Sequence, residues 1–402
     1  MKNRILAFIL ATILVLGMVS MFSCGSKNPA ENNTKIVIGA SGPLTEGAAM
    51  YGEAVKNSAI LAIEQINSLG GINGIEFVLD MKDDKNNPNL ISANYASLYE
   101  GGMQVSLGTV TTKPGLEFKN YAKEDNVFFI TPSATGDKIA EFANGYQMCF
   151  ADSDQGTVSA GVFNEIYKGK TVGIFFKSDD EYSVGIKNNF VAALDKSFGD
   201  VKTASFNDDT AADFTQQIAE LKDLDVIFMP IYYGPAALFM KQGNGIVNDK
   251  AVYYGCDGLD GIDKVDGFDI NSIPQSVSYL SHFNSNAEDG TAAYDYIQAY
   301  KKMFGNDAQV NQFGAAAYDC VYSIYYAMLY AIENNGAEIT AGISASDLCD
   351  ILTAVYNDKN FEFRGITGAP EADGSSTITW TDANGQATNG HVNKTPVSYT
   401  VK

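Results

Sequence analysis

The 402-residue sequence predicts an α/β protein made of two parallel-sheet halves. Three observations lead there. From Lys35 onward, short apolar runs alternate with segments of helical periodicity, the pattern of strands covered by helices. The alternation starts afresh at Thr171. The segments that follow the apolar runs are rich in hydroxyls, aromatics and acids, the chemistry expected where ligands sit beyond the carboxyl ends of strands.

The elements follow in order. Lys35-Ile36-Val37-Ile38-Gly39-Ala40 reads as a buried strand. Val55, Ala59, Ala62, Ile63, Ile66 and Leu69 then recur at helical spacing until Gly70-Gly71 stops the helix. A second strand is expected over Ile75–Met81, a second helix over Asn89–Tyr99, a third strand over Val105–Gly108 and a fourth over Val127–Ile130. The second half opens with a strand over Thr171–Phe176. Helices over Ile186–Leu194 and Asp213–Leu221 and a strand over Asp225–Met229 follow. Gln298–Phe304 and Ala315–Ile332 are late helices, and the boundary between halves falls near Cys149–Gln155.

Composition excludes several functions. With 27 Lys+Arg against 48 Asp+Glu the formal net charge is −21, and the basic residues are scattered. Phosphate neutralisation needs them clustered, so nucleic acid is not an expected partner. An anionic membrane surface would repel the same body. Two histidines, His282 and His391, and the absence of a G-x-S-x-G sequence leave little material for acid/base or nucleophilic chemistry, and no enzyme is expected. Cys149, Cys256, Cys320 and Cys349 show no C-x-x-C spacing, so they read as buried free thiols rather than zinc ligands. In the acidic loop Asp257–Asp266 the acids fall three apart, with Leu259 and Gly261 where calcium ligands belong. Neither a metal nor a cofactor is expected.

The N-terminus differs from the rest. Lys2 and Arg4 precede the apolar run Ile5–Val19, which is shorter than the about 20 residues of a spanning helix and reads as a secretory signal over residues 1–23. Cys24 after the small Ser23 resembles the bacterial lipoprotein lipobox. That resemblance implies cleavage before Cys24, acylation of its thiol, and an extracytoplasmic protein attached to the membrane through lipid alone. Residues 24–34 are polar and read as a flexible tether.

Two loops suit an anion. Thr109-Val110-Thr111-Thr112 follows the third strand and Thr131-Pro132-Ser133-Ala134-Thr135 the fourth. Each is expected to lead into a helix whose free N–H groups and positive dipole end favour negative charge. In the second half Tyr182, Tyr232-Tyr233 and Asp257 also follow strand ends. An acid and aromatics opposite a hydroxyl cradle would suit a zwitterion.

These residues resemble a known family. Ile38-Gly39-Ala40-Ser41-Gly42-Pro43-Leu44-Thr45 with Tyr51-Gly52 is similar to the opening of the leucine/isoleucine/valine-type periplasmic binding proteins of ABC transporters. Ile66-Asn67-Ser68-Leu69-Gly70-Gly71-Ile72-Asn73-Gly74 followed by Asp83-Asp84 fits the same family, as do Ile130–Thr135, Asp213-Phe214 and Phe363-Arg364-Gly365-Ile366-Thr367-Gly368. The resemblance implies a type I fold: two doubly wound parallel-sheet lobes joined by three hinge crossovers and closing on ligand. Residues 35–150 plus 282–363 would form the first lobe and 151–281 plus 364–402 the second. By motif match, Thr111 or Thr112, with Ser133, Ala134 and Thr135, would hold a ligand's α-carboxylate and part of its ammonium. Tyr51 would border the cleft. Tyr182 and Tyr232 or Tyr233 would cover the ligand, and Asp257 would pair with the ammonium. The implied function is a monomeric, lipid-anchored solute-binding protein that captures a small amino acid, neutral or branched-chain, and delivers it to ABC permease subunits. Two alternatives stand beside it: the same fold acting as a sensor, and an amide, short peptide or aromatic acid as ligand.

Overall fold

The computed structural model describes residues 28–368, 371, 375–382, 384–394 and 397–402. The expected signal segment 1–23 and the expected lipidation residue Cys24 lie outside the described residues. Near the N-terminus run β1 (Ile36–Gly42), α1 (Ala49–Ser68), β2 (Phe77–Asp83), α2 (Ile91–Glu100), β3 (Val105–Thr109), α3 (Thr112–Glu124), β4 (Phe129–Thr131) and β5 (Gly145–Gln147). The strands form a parallel sheet in the order β2-β1-β3-β4-β5. Strands β1 and β3 are buried on both faces, which is why they read as near-continuous apolar runs rather than alternating ones.

The chain then builds a second sheet. It runs through α4 (Asp152–Ile166), β6 (Val172–Lys177), α5 (Glu181–Ala193), β7 (Lys202–Phe206), α6 (Thr215–Leu221), β8 (Val226–Met229), α7 (Tyr233–Gly243), β9 (Val252–Gly255) and β10 (Ser276–Ser281). After β10 it returns to the first lobe with α8 (Ala292–Phe304), α9 (Gln312–Asn335) and α10 (Ala345–Tyr356). Ala316, Cys320, Ile324, Ala327 and Ala331 of α9 share one core with Ile36, Ile38, Ala59 and Ile66 of β1 and α1. The small residues let the two helices approach closely. A hairpin of β11 (Phe363–Gly365) and β12 (Ser376–Ile378) follows. Finally β13 (Val397–Thr400) adds to β10 as the antiparallel member of the order β13-β10-β9-β8-β6-β7.

The structure corrects the sequence reading at four places. Residues 364–394 were expected with the second lobe, but Ile378, Trp380 and Val392 fill the first lobe's core. The indole of Trp380 donates to Gln147 O (2.9 Å), and Gln147 N donates to Gly390 O (2.9 Å). Apolar residues need a core, and the hairpin starting at Phe363 carries them to the nearer one. The expected tether is ordered over residues 28–34: Asn28 Nδ2 donates to Gly342 O (3.0 Å), Asn33 Nδ2 donates to Gly102 O (2.8 Å), and Ala30 is buried. The segment after β4 leads to β5 and not to a helix. Strands β5, β7 and β10 to β13 and helices α4, α7 and α10 were not anticipated.

Trp380 is the sole tryptophan of the chain and is buried against Tyr146 and Tyr356, with ring centroids 6.4 and 4.4 Å away. Trp380→Ala is expected to destabilise the first lobe by about 3–5 kcal/mol. Urea unfolding followed by far-UV circular dichroism should show a lowered midpoint at unchanged slope.

Candidate functional site

The strands of both sheets deliver their C-terminal ends to the junction between lobes. From the first lobe, β1 leads through Pro43 into α1. This turn needs Gly52, because a Cβ there would stand 1.8 Å from Pro43 O. It places Tyr51, buried in the first turn of α1, across the junction, where its hydroxyl donates to Gly258 O of the second lobe (2.6 Å). Strand β3 ends in Thr109-Val110-Thr111. Thr111 stands at the N-cap of α3 but makes no side-chain cap bond, and its buried Oγ1 has no partner. Thr112 Oγ1 instead accepts Gly136 N (3.1 Å). The two threonines therefore differ: Thr111 presents a free hydroxyl, whereas Thr112 fastens one loop to the next.

After β4 the order is again local. Thr131 Oγ1 accepts the N–H groups of Ser133 (3.3 Å) and Ala134 (3.0 Å) and donates to Thr109 O (2.7 Å). Ala134 O accepts Gln147 Nε2 (2.9 Å), and the Ala134 side chain packs in the core beside Phe118 and Ile139. Both backbone groups of Ala134 are thus consumed within its own lobe. The amide cradle expected here is taken up by Thr131, and what remains toward the junction is Ser133 and Thr135.

From the second lobe, Asp180 caps α5 by accepting Tyr182 N (3.2 Å), which turns Tyr182 inward. The Tyr182 hydroxyl donates to Asp257 Oδ1 (2.7 Å) and accepts Gly258 N (3.0 Å). Gly258 has to be glycine, since a Cβ would lie 2.5 Å from that hydroxyl and 2.7 Å from Ile231 O. Asp257 N donates to Gln155 Oε1 (3.0 Å), and Asp257 O accepts Gln312 Nε2 of α9 (3.4 Å). Asp257 is 1% exposed. Burial pushes its carboxyl up to about 7, against the lowering effect of bonds from Tyr182, Gln155 and Gly258. Tyr232 stacks on Tyr182 with centroids 4.9 Å apart. Tyr233 faces elsewhere: its hydroxyl accepts Met50 N (3.4 Å) and its ring meets Tyr51 at 5.0 Å.

The result is a narrow chamber between the lobes with a cavity volume of about 10 Å³, room for about one water molecule, so a larger ligand enters only as the lobes part. Tyr51, Thr111, Ser133, Thr135, Tyr182, Tyr232 and Asp257 line it together with Val110, Gly258 and Phe313. Of the residues singled out from sequence, Thr112, Ala134 and Tyr233 stand outside the lining. Sequence reasoning missed Val110, Phe313 and Gln312, which the start of α9 brings in, and Gln155 in the first turns of α4. The polar residues at the lobe boundary were the available signal for Gln155. For Phe313 no local signal exists, because it arrives from the far end of the chain. One wall of the chamber is hydroxyl, the other is acid and phenol, and no lysine or arginine lines it. A further contact closes the lobes outside it, from Lys113 Nζ to Asp179 O (2.9 Å).

The comparisons with known proteins agree with this architecture. The family model for periplasmic binding proteins matches residues 35–386. The chain belongs to that family. It is 27% identical over 331 residues to the Leu/Ile/Val-binding protein BraC3 of Rhizobium johnstonii, covering 81% of this chain and 84% of the relative. Among solved structures, the branched-chain amino acid transporter substrate-binding protein LivJ of Streptococcus pneumoniae, in complex with isoleucine, has the same fold. Its TM-score is 0.70 at 22% identity, covering 92% of this chain and 99% of LivJ. A solute-binding protein of an ABC transporter from Rhodopseudomonas palustris, in complex with 3,4-dihydroxybenzoic acid, matches with a TM-score of 0.73 at 17% identity, covering 92% and 93%. Periplasmic binding proteins of this type I fold are solute carriers rather than enzymes.

Tyr51→Phe removes the hydroxyl bond between lobes without changing the packed ring. A bond of this kind is worth about 1 kcal/mol net, so the closed-to-open ratio should fall about five-fold. Small-angle X-ray scattering of the variant should give a larger radius of gyration than the parent under the same conditions.

Proposed function

We propose that this chain is the extracytoplasmic solute-binding component of an ABC importer and that its chamber takes a small amino acid, neutral or branched-chain. The observation that carries the reading is Asp257, a buried carboxyl held by Tyr182 and enclosed by aromatic rings, opposite the unpartnered hydroxyl of Thr111. Thr111, Ser133 and Thr135 receive the α-carboxylate. Asp257 receives the ammonium, and Tyr51, Tyr182 and Tyr232 give it a favourable set of ring faces and edges. Val110 and Phe313 bound the side chain. The protein performs no chemistry on its ligand: binding bridges two lobes and shifts them toward closure, the form recognised by the permease. The lipid on Cys24 keeps a monomeric carrier at the membrane surface.

An aromatic acid, the ligand class of the Rhodopseudomonas relative, is favoured by the same ring walls. It carries no cation, however, and would leave the Asp257 carboxylate buried with hydrogen bonds but no counter-ion. That penalty decides for the amino acid.

Thermal unfolding against a panel of amino acids, amides and aromatic acids tests the choice. The bound class should raise the melting temperature in proportion to the logarithm of its concentration. A shift with dihydroxybenzoate and none with any amino acid would reverse the assignment. Asp257→Ala is expected to weaken amino-acid binding at least about a hundred-fold, since it removes the only carboxylate that lines the chamber among the described residues and leaves the ammonium unpaired. Unchanged affinity would remove Asp257 from the site.

A further inference from the structure

The junction holds one acid more than a zwitterion needs. Asp152, the first residue of α4, is buried where the chain passes from the first lobe to the second. Its N–H donates to Thr135 O (2.8 Å), and the Thr135 hydroxyl lies within hydrogen-bonding reach of its carboxyl. On its other side stands α5, where a Cβ added to Gly185 would lie 3.5 Å from Asp152 Oδ2. Asp152 Oδ1 is buried without a partner, and so is Gln155 Nε2 less than one turn later.

After burial and the opposing bond from the Thr135 hydroxyl, the groups that act on Asp152 most strongly are themselves acids. They are Asp137 after β4, Asp180 at the start of α5 and Asp257 after β9. Tyr232 and the thiols of Cys149 and Cys256 also feel its charge. Gln155, three residues after Asp152 in the same turn of α4, accepts Asp257 N (3.0 Å), so two buried carboxyls meet at this turn, whereas an amino acid brings one ammonium. Burial pushes the carboxyl of Asp152 well above the ordinary carboxylate range.

We propose that the closed, liganded site keeps one proton on the Asp152–Asp257 carboxyl pair, carried by Asp152, so that capture of an amino acid takes up a proton from solvent. This rests on the amino-acid reading of the chamber. In the open form both carboxyls are hydrated and ionised at neutral pH, because a free aspartate titrates at about 3.9. On closure the ligand's ammonium neutralises Asp257 and keeps its own protons. The second charge has no counterion in a water-poor site, and a buffer acid transfers a proton to Asp152 Oδ1, forming an O–H and releasing the buffer's conjugate base. The closed-state carboxyl thus titrates higher than the open-state one. The added affinity is present at low pH and is lost as pH rises through the closed-state value.

Isothermal titration calorimetry of the mature chain with L-leucine, L-valine and L-alanine, at one pH in phosphate and in Tris, counts the protons. The expected result is a binding enthalpy that differs between buffers by an amount approaching one proton per ligand. Affinity should fall by up to about ten-fold per pH unit from above about pH 4, the ordinary aspartate value, until the closed-state value is passed. Asp152→Asn should abolish the buffer difference and flatten the pH dependence. Identical wild-type enthalpies in the two buffers with pH-independent affinity would overturn the proposal while leaving the amino-acid reading intact. Tighter binding of L-lysine without proton uptake would also overturn it, because the ligand would then supply the second positive charge. Failure of every amino acid to bind would overturn both readings together. The wild-type comparison decides even if the variant does not fold.

Discussion

The Asp257–Gly258 turn is the point on which both lobes depend. It is gripped from its own lobe by the Tyr182 hydroxyl, from the first crossover by Gln155, and from the first lobe by Tyr51 and Gln312. Each grip uses a backbone or side-chain group that burial would otherwise leave unsatisfied. The turn can therefore be buried only when all four partners are present, and three of them come from other parts of the chain. Gly258 makes this possible, since any side chain there would push Tyr182 and Ile231 away.

A second anchor lies where the crossovers run together. Lys394 is half-buried, and its ammonium donates to Met148 O (2.6 Å) and to Thr367 Oγ1. Thr367 in turn donates its N–H to Asp319 of α9 (3.0 Å), and Gly368 N donates to His282 O (2.6 Å). Burial pushes Lys394 down to about 8, with Asp319 opposing the shift. His282 stays neutral for the same reason, edge-on to Phe150 at 5.2 Å. The strands that connect the lobes are thus tied to one another by polar bonds near Met148, His282 and Lys394, while the lobes keep separate apolar cores.

The legible parts of the sequence were those with local physical causes. Strands such as Ile36–Gly42 and Val226–Met229 announce themselves because two buried faces require unbroken apolar runs. The hydroxyl loops and Asp257 were legible because they follow such runs directly. What escaped notice was set by tertiary contacts. Ala134 sits within a matching motif, yet Thr131 and Gln147 consume its backbone groups, and no spacing rule reveals that. Lys394 looks like any surface lysine in a polar tail, and Trp380 lies in a segment whose composition suggested no core at all. Phe313 reaches the chamber only because α9 doubles back along α1.

Closure in this molecule is a balance that its own contacts settle only narrowly. Tyr51 to Gly258, Met50 to Tyr233, Lys113 to Asp179, and Gln312 to both Asp257 and Asp260 are among the bonds that draw the lobes together around the chamber. Each is worth about 1 kcal/mol or less, because opening returns the same groups to water. Against them stands the burial of Asp257, whose charged form is disfavoured in the closed chamber. In the proposed amino-acid complex, the ligand's ammonium at Asp257 removes that opposing contribution. Selectivity and closure then have the same origin: only a solute that neutralises the buried acid releases the contacts that shut the lobes over it.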